Sequence, residues 1–328
     1  MTYKLLPTRV YRAYYGGKNI DLWQNAENSE ISRFPEDWLA SVTEAFNPDR
    51  KVENEGLSKT TDGEFLKDVI EADKEAMIGK RENMSLLFKL LDSNERLVIQ
   101  VHPTVEFAKE HFNSPYGKTE CWYILGDGGY VYIGFKPGVS KEQMIELFEK
   151  QDVNGMLDIM HKFEVKKGDF IFVAGGIPHA IGAGCFLAEL QEPTDLMVIP
   201  ERITPSGIKL ADVKLHGGLG FEKMFDCFTF EGLDRENTYK KYFIKPNQIN
   251  KNLKVIANEK VTDKFKLFEI LSENEFIYPM DSYGIVLVTE GEGTINNITV
   301  KQGDRLFVSE SEDNLHIKGK IKCLVCKP

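Results

Sequence analysis

The stretch "FEVKKGDFIFVAGGIPHAIGAG", Phe163 to Gly184, decides the fold. It reads as a strand, a Lys-Lys-Gly-Asp turn, an alternating strand, a Gly-Gly turn and a third strand. Gly beside Asp is tight-turn chemistry between strands. A second stretch, "ITVKQGDRLFVSESEDNLHIKG" from Ile298 to Gly319, repeats the pattern, with Gly303-Asp304 in the place of Gly168-Asp169. A repeated β unit predicts two barrels of one type. The segment "YGIVLVTEGEGTINN" just before the second copy adds two strands joined through Gly-Glu-Gly.

Most of the remaining chain also reads as short strands separated by Gly, Asp and Asn, so the expected class is mainly β. Helical spacing appears in "GEFLKDVIEADKEAMIG" from Gly63 and in "VSKEQMIELFEKQD" behind a Ser140 cap. "TPSGIKLADVKLHGGLGFEKMF" reads as a mostly helical insertion. At 328 residues the chain is long enough for two domains or one large β domain. The net charge of -10 opposes a nucleic-acid backbone and an anionic membrane surface. No apolar run is long enough to span a bilayer, and the first residues lack the apolar core of a signal peptide. Five scattered cysteines fit a reduced, cytoplasmic protein. The dipeptide-like "CLVC" at Cys323 to Cys326 lies in an alternating strand. Positions i and i+3 there face opposite sides, so the two thiols are expected to diverge.

Upstream of the first copy, "RLVIQVHP" places Gln100 and His102 on one strand face. "ECWYIL" opens another strand with Glu120, and His179 follows Pro178. Two His, one Glu and a neutral Gln oxygen suit a zinc site with open positions. Two imidazoles favour zinc over magnesium or calcium, with iron, manganese and cobalt as alternatives. His111, His161, His216 and His316 have no such company and are read as ordinary histidines.

The motifs "LLFKLLD", "IQVHP", "GKTECWYI", "KKGDFIFVAGGIPHAIGAG" and "LAELQEPTD" resemble the type I mannose-6-phosphate isomerases, in the short bacterial branch of these cupin proteins. The resemblance covers most of the chain, including "YYGGKNI" near its start. It implies two cupin (jelly-roll) barrels with a small helical insertion. The catalytic cupin with helical additions would span 1–195, the insertion 196–248, and a degenerate cupin without metal ligands 249–328. It implies one Zn2+ per chain on Gln100, His102, Glu120 and His179, the four residues that the spacing also selects. It implies a hexose 6-phosphate substrate, with mannose 6-phosphate and fructose 6-phosphate interconverted through an enediol. Lys118 shares the strand face of Glu120, and Lys89 sits in an otherwise apolar run; both match family positions for holding substrate or moving a proton. Glu189 and Asp195 match acidic positions lining the site, with Glu189 the companion of Lys118 in proton transfer and Asp195 a substrate-binding group. The family pattern is broken where many members carry a catalytic arginine, because Ile199 stands there. Arg202 is the nearest arginine in sequence and the candidate replacement. The competing readings are a non-catalytic bicupin that senses a sugar phosphate and an isomerase of another phosphosugar. An iron oxygenase fits less well, since Gln100 replaces the first His of the expected H-x-H pair.

Overall fold

A computed structural model describes residues 1–47, 50 and 52–328. Its strands fall into three antiparallel sheets. A six-stranded sheet runs Arg9–Val10, Glu36–Leu39, Leu87–Asp92, Phe186–Gln191, Glu120–Ile124, Phe170–Val173. A three-stranded sheet holds Met160–Glu164, Tyr130–Phe135 and His179–Ile181. A nine-stranded sheet contains the strands of the C-terminal part, among them Gly284–Ile295, Arg305–Val308 and Asn314–Lys327. The first strand, Thr2–Lys4, crosses over and pairs with Arg305–Val308. The chain is therefore mainly β, as its turn-punctuated sequence requires.

The two copies of the repeat close the same turn. Gly168 and Gly303 both sit at φ +89°, a left-handed conformation that a Cβ would strain. Asp169 accepts a hydrogen bond from the Lys166 amide at 3.0 Å, and Asp304 accepts one from the Lys301 amide at 2.8 Å. Lys-x-Gly-Asp thus encodes one local structure twice.

Every residue of Leu87–Asp92 and Phe186–Gln191 is buried, because the six-stranded sheet is covered on both faces. On one face Leu91, Trp122, Ile124 and Leu187 pack with Val131, Ile133 and Ile181 of the three-stranded sheet. On the other, Phe88, Leu90, Cys121 and Tyr123 pack with Ile285, Leu287, Phe307 and Leu324 of the nine-stranded sheet. Each such large apolar side chain contributes about 1.5–3 kcal/mol when fully buried. The period of two then dictates where the polar residues go. Lys89 shares the face of Leu91, Glu120 that of Trp122, and Glu189 that of Leu187. The Cys323 and Cys326 thiols diverge as expected, into different apolar clusters.

Helices cover the periphery. Lys141–Lys150 begins at Ser140, whose hydroxyl accepts from the Gln143 amide. The helical stretch from Gly63 forms as two pieces, Leu66–Ala72 and Lys74–Ile78, divided at Asp73, which caps the second. Two expectations need correction. The segment "TPSGIKLADVKLHGGLGFEKMF" is mostly irregular, with the short helix Asp212–His216 and the start of a 3-10 turn at Met224–Cys227. Pro205 and the positive-φ glycines Gly207, Gly217, Gly218 and Gly220 interrupt it. "RLVIQVHP" is not a regular strand; it contributes isolated bridges from Gln100 to His179 and from Val101 to Val198. Among the described residues, no helix is long and apolar enough to cross a membrane.

Candidate metal centre

Three segments meet around the carbonyl of Pro103. A Cβ on Gly117 would lie 2.6 Å from that oxygen, and one on Gly175 would lie 2.7 Å from it. Glycine is required at both places for close approach, which gives "GKTE" and "AGGIPH" a physical reason. The Gly176 amide donates to the His102 carbonyl at 2.7 Å, and Gln100 and His179 exchange backbone hydrogen bonds of 2.9 and 3.0 Å. His102, Glu120 and His179 are thereby brought together, with all three side chains buried.

The His102 Nδ1–H donates to the Leu196 carbonyl at 2.9 Å, and the His179 Nδ1–H donates to the Ile177 carbonyl at 2.8 Å. These bonds fix the tautomers and turn both Nε2 lone pairs inward. His102 Nε2 lies 3.1 Å from Glu120 Oε2, and His179 Nε2 lies 3.3 Å from Glu120 Oε1. A lone pair cannot donate to a carboxylate. Glu120 Oε2 and His179 Nε2 are accordingly buried atoms that complete no hydrogen bond. Such a facing set of acceptors is costly to bury unless a cation lies between them. Two imidazole nitrogens and a carboxylate oxygen fit a zinc-type ion.

Protonation favours the same occupant. Burial, with Lys118 nearby, pushes the His102 imidazole down to about 3, and burial also lowers His179. Burial works to raise the Glu120 carboxyl, but His102 and Lys118 overcome it and hold Glu120 well below the usual carboxylate range. The ligands are therefore two neutral imidazoles and one anion. Lys118 is buried, with Nζ 3.1 Å from His102 Nε2 and 3.5 Å from Glu120 Oε2.

Gln100 and Lys118 line a cavity that also takes in Lys89, Glu189 and Asp195. Lys89 Nζ lies 3.1 Å from Glu189 and 3.6 Å from Glu36. Burial pushes the Glu189 carboxyl up to about 7, against the pull of Lys89. Asp195 accepts from the Phe46 amide at 3.0 Å and pairs with Arg12. Sequence reasoning missed Arg12, Tyr14 and Glu36, which also line this cavity. Glu36 accepts from Tyr14 at 2.7 Å, Trp38 at 2.8 Å and Arg12 at 3.0 Å. No local pattern marked Arg12, which stands between Tyr11 and Ala13 three residues after another cation, Arg9.

Arg202 is elsewhere. Its guanidinium stacks 4.7 Å from the Phe148 ring and 4.5 Å from the Phe221 ring, and it pairs with Asp212 at 3.5 Å. It is not among the residues lining the cavity, whereas Ile199 is. Of the other histidines, His161 is buried and donates to the Leu233 carbonyl, while His111 packs on Phe107 at the end of a helix. Among the described residues, His102, Glu120 and His179 form the one group of His, Cys, Asp or Glu placed to hold a metal.

Residues 19–120 match the family described as phosphomannose isomerase type I, catalytic domain. The mannose-6-phosphate isomerase ManA of Bacillus subtilis is 27% identical over 251 residues, covering 74% of this chain and 75% of that protein. GmuF of Bacillus subtilis is 34% identical over 158 residues, so this chain matches 47%, about half, of that relative's length. A crystal structure of a mannose 6-phosphate isomerase from Bacillus subtilis superposes with a TM-score of 0.79 at 23% identity, over 100% of this chain and 99% of that one, which shows a shared fold. Residues 19–120, which include Gln100, His102 and Glu120, thus carry the match to the type I phosphomannose isomerase family, and the chain is similar to the isomerase ManA over most of its length.

Proposed function

We propose that the chain interconverts mannose 6-phosphate and fructose 6-phosphate, with one zinc ion held by Gln100, His102, Glu120 and His179. The observation that carries this reading is the buried His-Glu-His group with two unpartnered acceptor atoms beside a cavity containing Lys118, Lys89 and Glu189. When bound, the ion would polarise the sugar oxygens at C1 and C2 and stabilise enediolate charge. The chain's own residues supply the rest. Glu189 takes the proton from C2 and returns it at C1, a task suited to a carboxyl that titrates near neutrality. Lys89 holds the ionised form of Glu189 in place, and Lys118 donates to a substrate oxygen. The apolar wall of Leu91, Leu97 and Ile199 limits water at the reacting carbons.

The two cupin barrels are our reading of the three sheets and the repeated turn. The domain limits 1–195, 196–248 and 249–328 follow from it, with Thr2–Lys4 as an arm reaching into the C-terminal sheet. A cytoplasmic setting suits five buried cysteines that form no disulfide. The test is a coupled assay of purified protein with mannose 6-phosphate, before and after chelation and zinc return. Turnover that is lost on chelation and restored by zinc supports the reading. Tight binding without turnover would instead identify a sensor.

A further inference from the structure

The segment that carries Gln100 and His102 makes isolated bridges instead of a regular ladder, so other bonds must hold its side chains in place. Beside it runs the chain from Leu196 to Glu201, and hydrogen bonds tie the two together. The His102 Nδ1–H donates to the Leu196 carbonyl at 2.9 Å. Val101 and Val198 exchange backbone hydrogen bonds of 2.9 Å each. The next tie is made by a side chain. Glu201 Oε1 accepts from the Ile99 amide at 2.6 Å, one residue before Gln100.

Glu201 is itself pinned. It is 1% exposed, and Arg96 grips its carboxylate with both terminal nitrogens, Nη1 at 2.6 Å from Oε1 and Nη2 at 2.8 Å from Oε2. Arg96 Nη1 also donates to the Leu97 carbonyl at 2.8 Å. A forked arginine–carboxylate pair fixes direction as well as distance, and an amide bonded to a carboxylate is held more strongly than one bonded to a neutral carbonyl. The Ile99 amide is thus held by Glu201, and the next amide, that of Gln100, donates to the His179 carbonyl at 2.9 Å. The Ile99–Gln100 backbone is fastened from both sides. Ile99 and Val101 pack in the apolar cluster that holds Val198. Alternation then turns Gln100 the other way, where it lines the cavity.

We propose that Glu201, gripped by Arg96, is a positioning residue for the metal group: it fixes the Ile99–Gln100 backbone so that the Gln100 side-chain oxygen meets the ion. This rests on the ligand set of the isomerase reading, in which Gln100 is the neutral fourth ligand. Glu120 is drawn to a cation by its charge. The Gln100 amide has no net charge, so its contribution depends on placement.

The experiment measures zinc affinity by chelator competition and the visible spectrum of cobalt-substituted protein. The samples are the unmodified chain, Glu201→Ala, Gln100→Ala and the double variant. Glu201→Ala is expected to weaken zinc binding about 10- to 100-fold, the range for a lost outer partner of a ligand. Its cobalt bands should move toward those of Gln100→Ala. The double variant should bind zinc no more weakly than Gln100→Ala, because residues that act through one another are not additive. Glu201→Gln keeps an oxygen for the Ile99 amide and should recover most of the affinity. A purely structural Glu201 would lower the melting temperature and add its loss to that of Gln100→Ala. That additivity, or cobalt bands in Glu201→Ala identical to those of the unmodified chain, overturns the proposal. Unchanged zinc affinity and cobalt bands in Gln100→Ala would remove Gln100 from the ligand set and the proposal with it. Should Glu201→Ala not fold, Glu201→Asp carries the same cycle, since it keeps the charge but is one methylene too short to reach Arg96 and the Ile99 amide together. Turnover of mannose 6-phosphate is followed on the same samples. Non-additive coupling in a protein without turnover would sink the isomerase reading and leave the role of Glu201 standing; full turnover with additive losses would do the reverse.

Discussion

His102 and His179 each commit Nδ1–H to a backbone carbonyl, so their remaining nitrogens can only accept. That detail makes the metal reading specific. His102→Ala should therefore lose zinc and activity together, with turnover down by about 100-fold or more, while a second-coordination change alone costs about 10- to 100-fold. Zinc analysis of the variant checks this; retained zinc at full activity would remove His102 from the ligand set. Glu36 gives a stability prediction with a definite sign. Burial works to raise it, and Arg12 and Lys89 overcome that and hold it well below the usual carboxylate range. A carboxyl lowered on folding contributes stability above its unfolded pKa, near ~4.3, and loses that contribution as pH falls further toward the folded value. Glu36→Gln should cost about 3–5 kcal/mol near neutral pH by removing the buried carboxylate that Arg12 and Lys89 share. The gap in melting temperature should narrow below pH ~4; a constant gap from neutral to acid would contradict the assignment. The grouping of His102, Glu120 and His179 was legible in the sequence because each sits in a short motif with strand or turn spacing. Arg12 and Glu36 were not, because their meaning lies in pairing across separate segments, which no local spacing records. Arg202 shows the reverse error, since nearness in sequence placed it at a site that its stacking on Phe148 and Phe221 keeps it from.

At the scale of elements, the site depends on loops that approach one another closely. Gly117 and Gly175 both press on the Pro103 carbonyl. Gly175→Ala should cost about 1–3 kcal/mol of stability through overpacking. It should also weaken zinc binding, because His102 and His179 flank the displaced loops. Thermal melts with a zinc titration check both effects, and an unchanged zinc affinity would show that the close approach does not position the ligands. Ser140→Ala is the contrast. It removes a helix cap far in sequence from the ligands and should cost about 1 kcal/mol while leaving kcat and KM unchanged. The Lys-x-Gly-Asp turns and the capped helix were readable because their geometry is local. The expected strand over "RLVIQVHP" and the helical insertion were not read correctly. Alternating apolar residues also suit an extended buried segment that makes only isolated bridges. Apolar spacing in the insertion counted for less than its proline and glycines.

At the scale of the whole molecule, one repeated β unit serves two purposes. The first copy supplies His179, while the second packs behind the six-stranded sheet and contributes no ligand to the described metal group. The mainly β class was legible from the repeat. The arm Thr2–Lys4 was not, since its partner strand begins about three hundred residues later. The packing between sheets includes a polar tie, the Tyr123 hydroxyl donating to Glu269 at 2.8 Å, which links the six-stranded sheet to the nine-stranded one. The central proposal is that the buried His-Glu-His group holds a zinc ion on which isomerase activity depends. Its most direct test is zinc content per chain measured alongside turnover of mannose 6-phosphate in one preparation, through chelation and reconstitution. The account predicts one zinc per chain and production of fructose 6-phosphate that disappears and returns with the metal. Full turnover by metal-free protein, or none by the zinc-loaded protein, would contradict it.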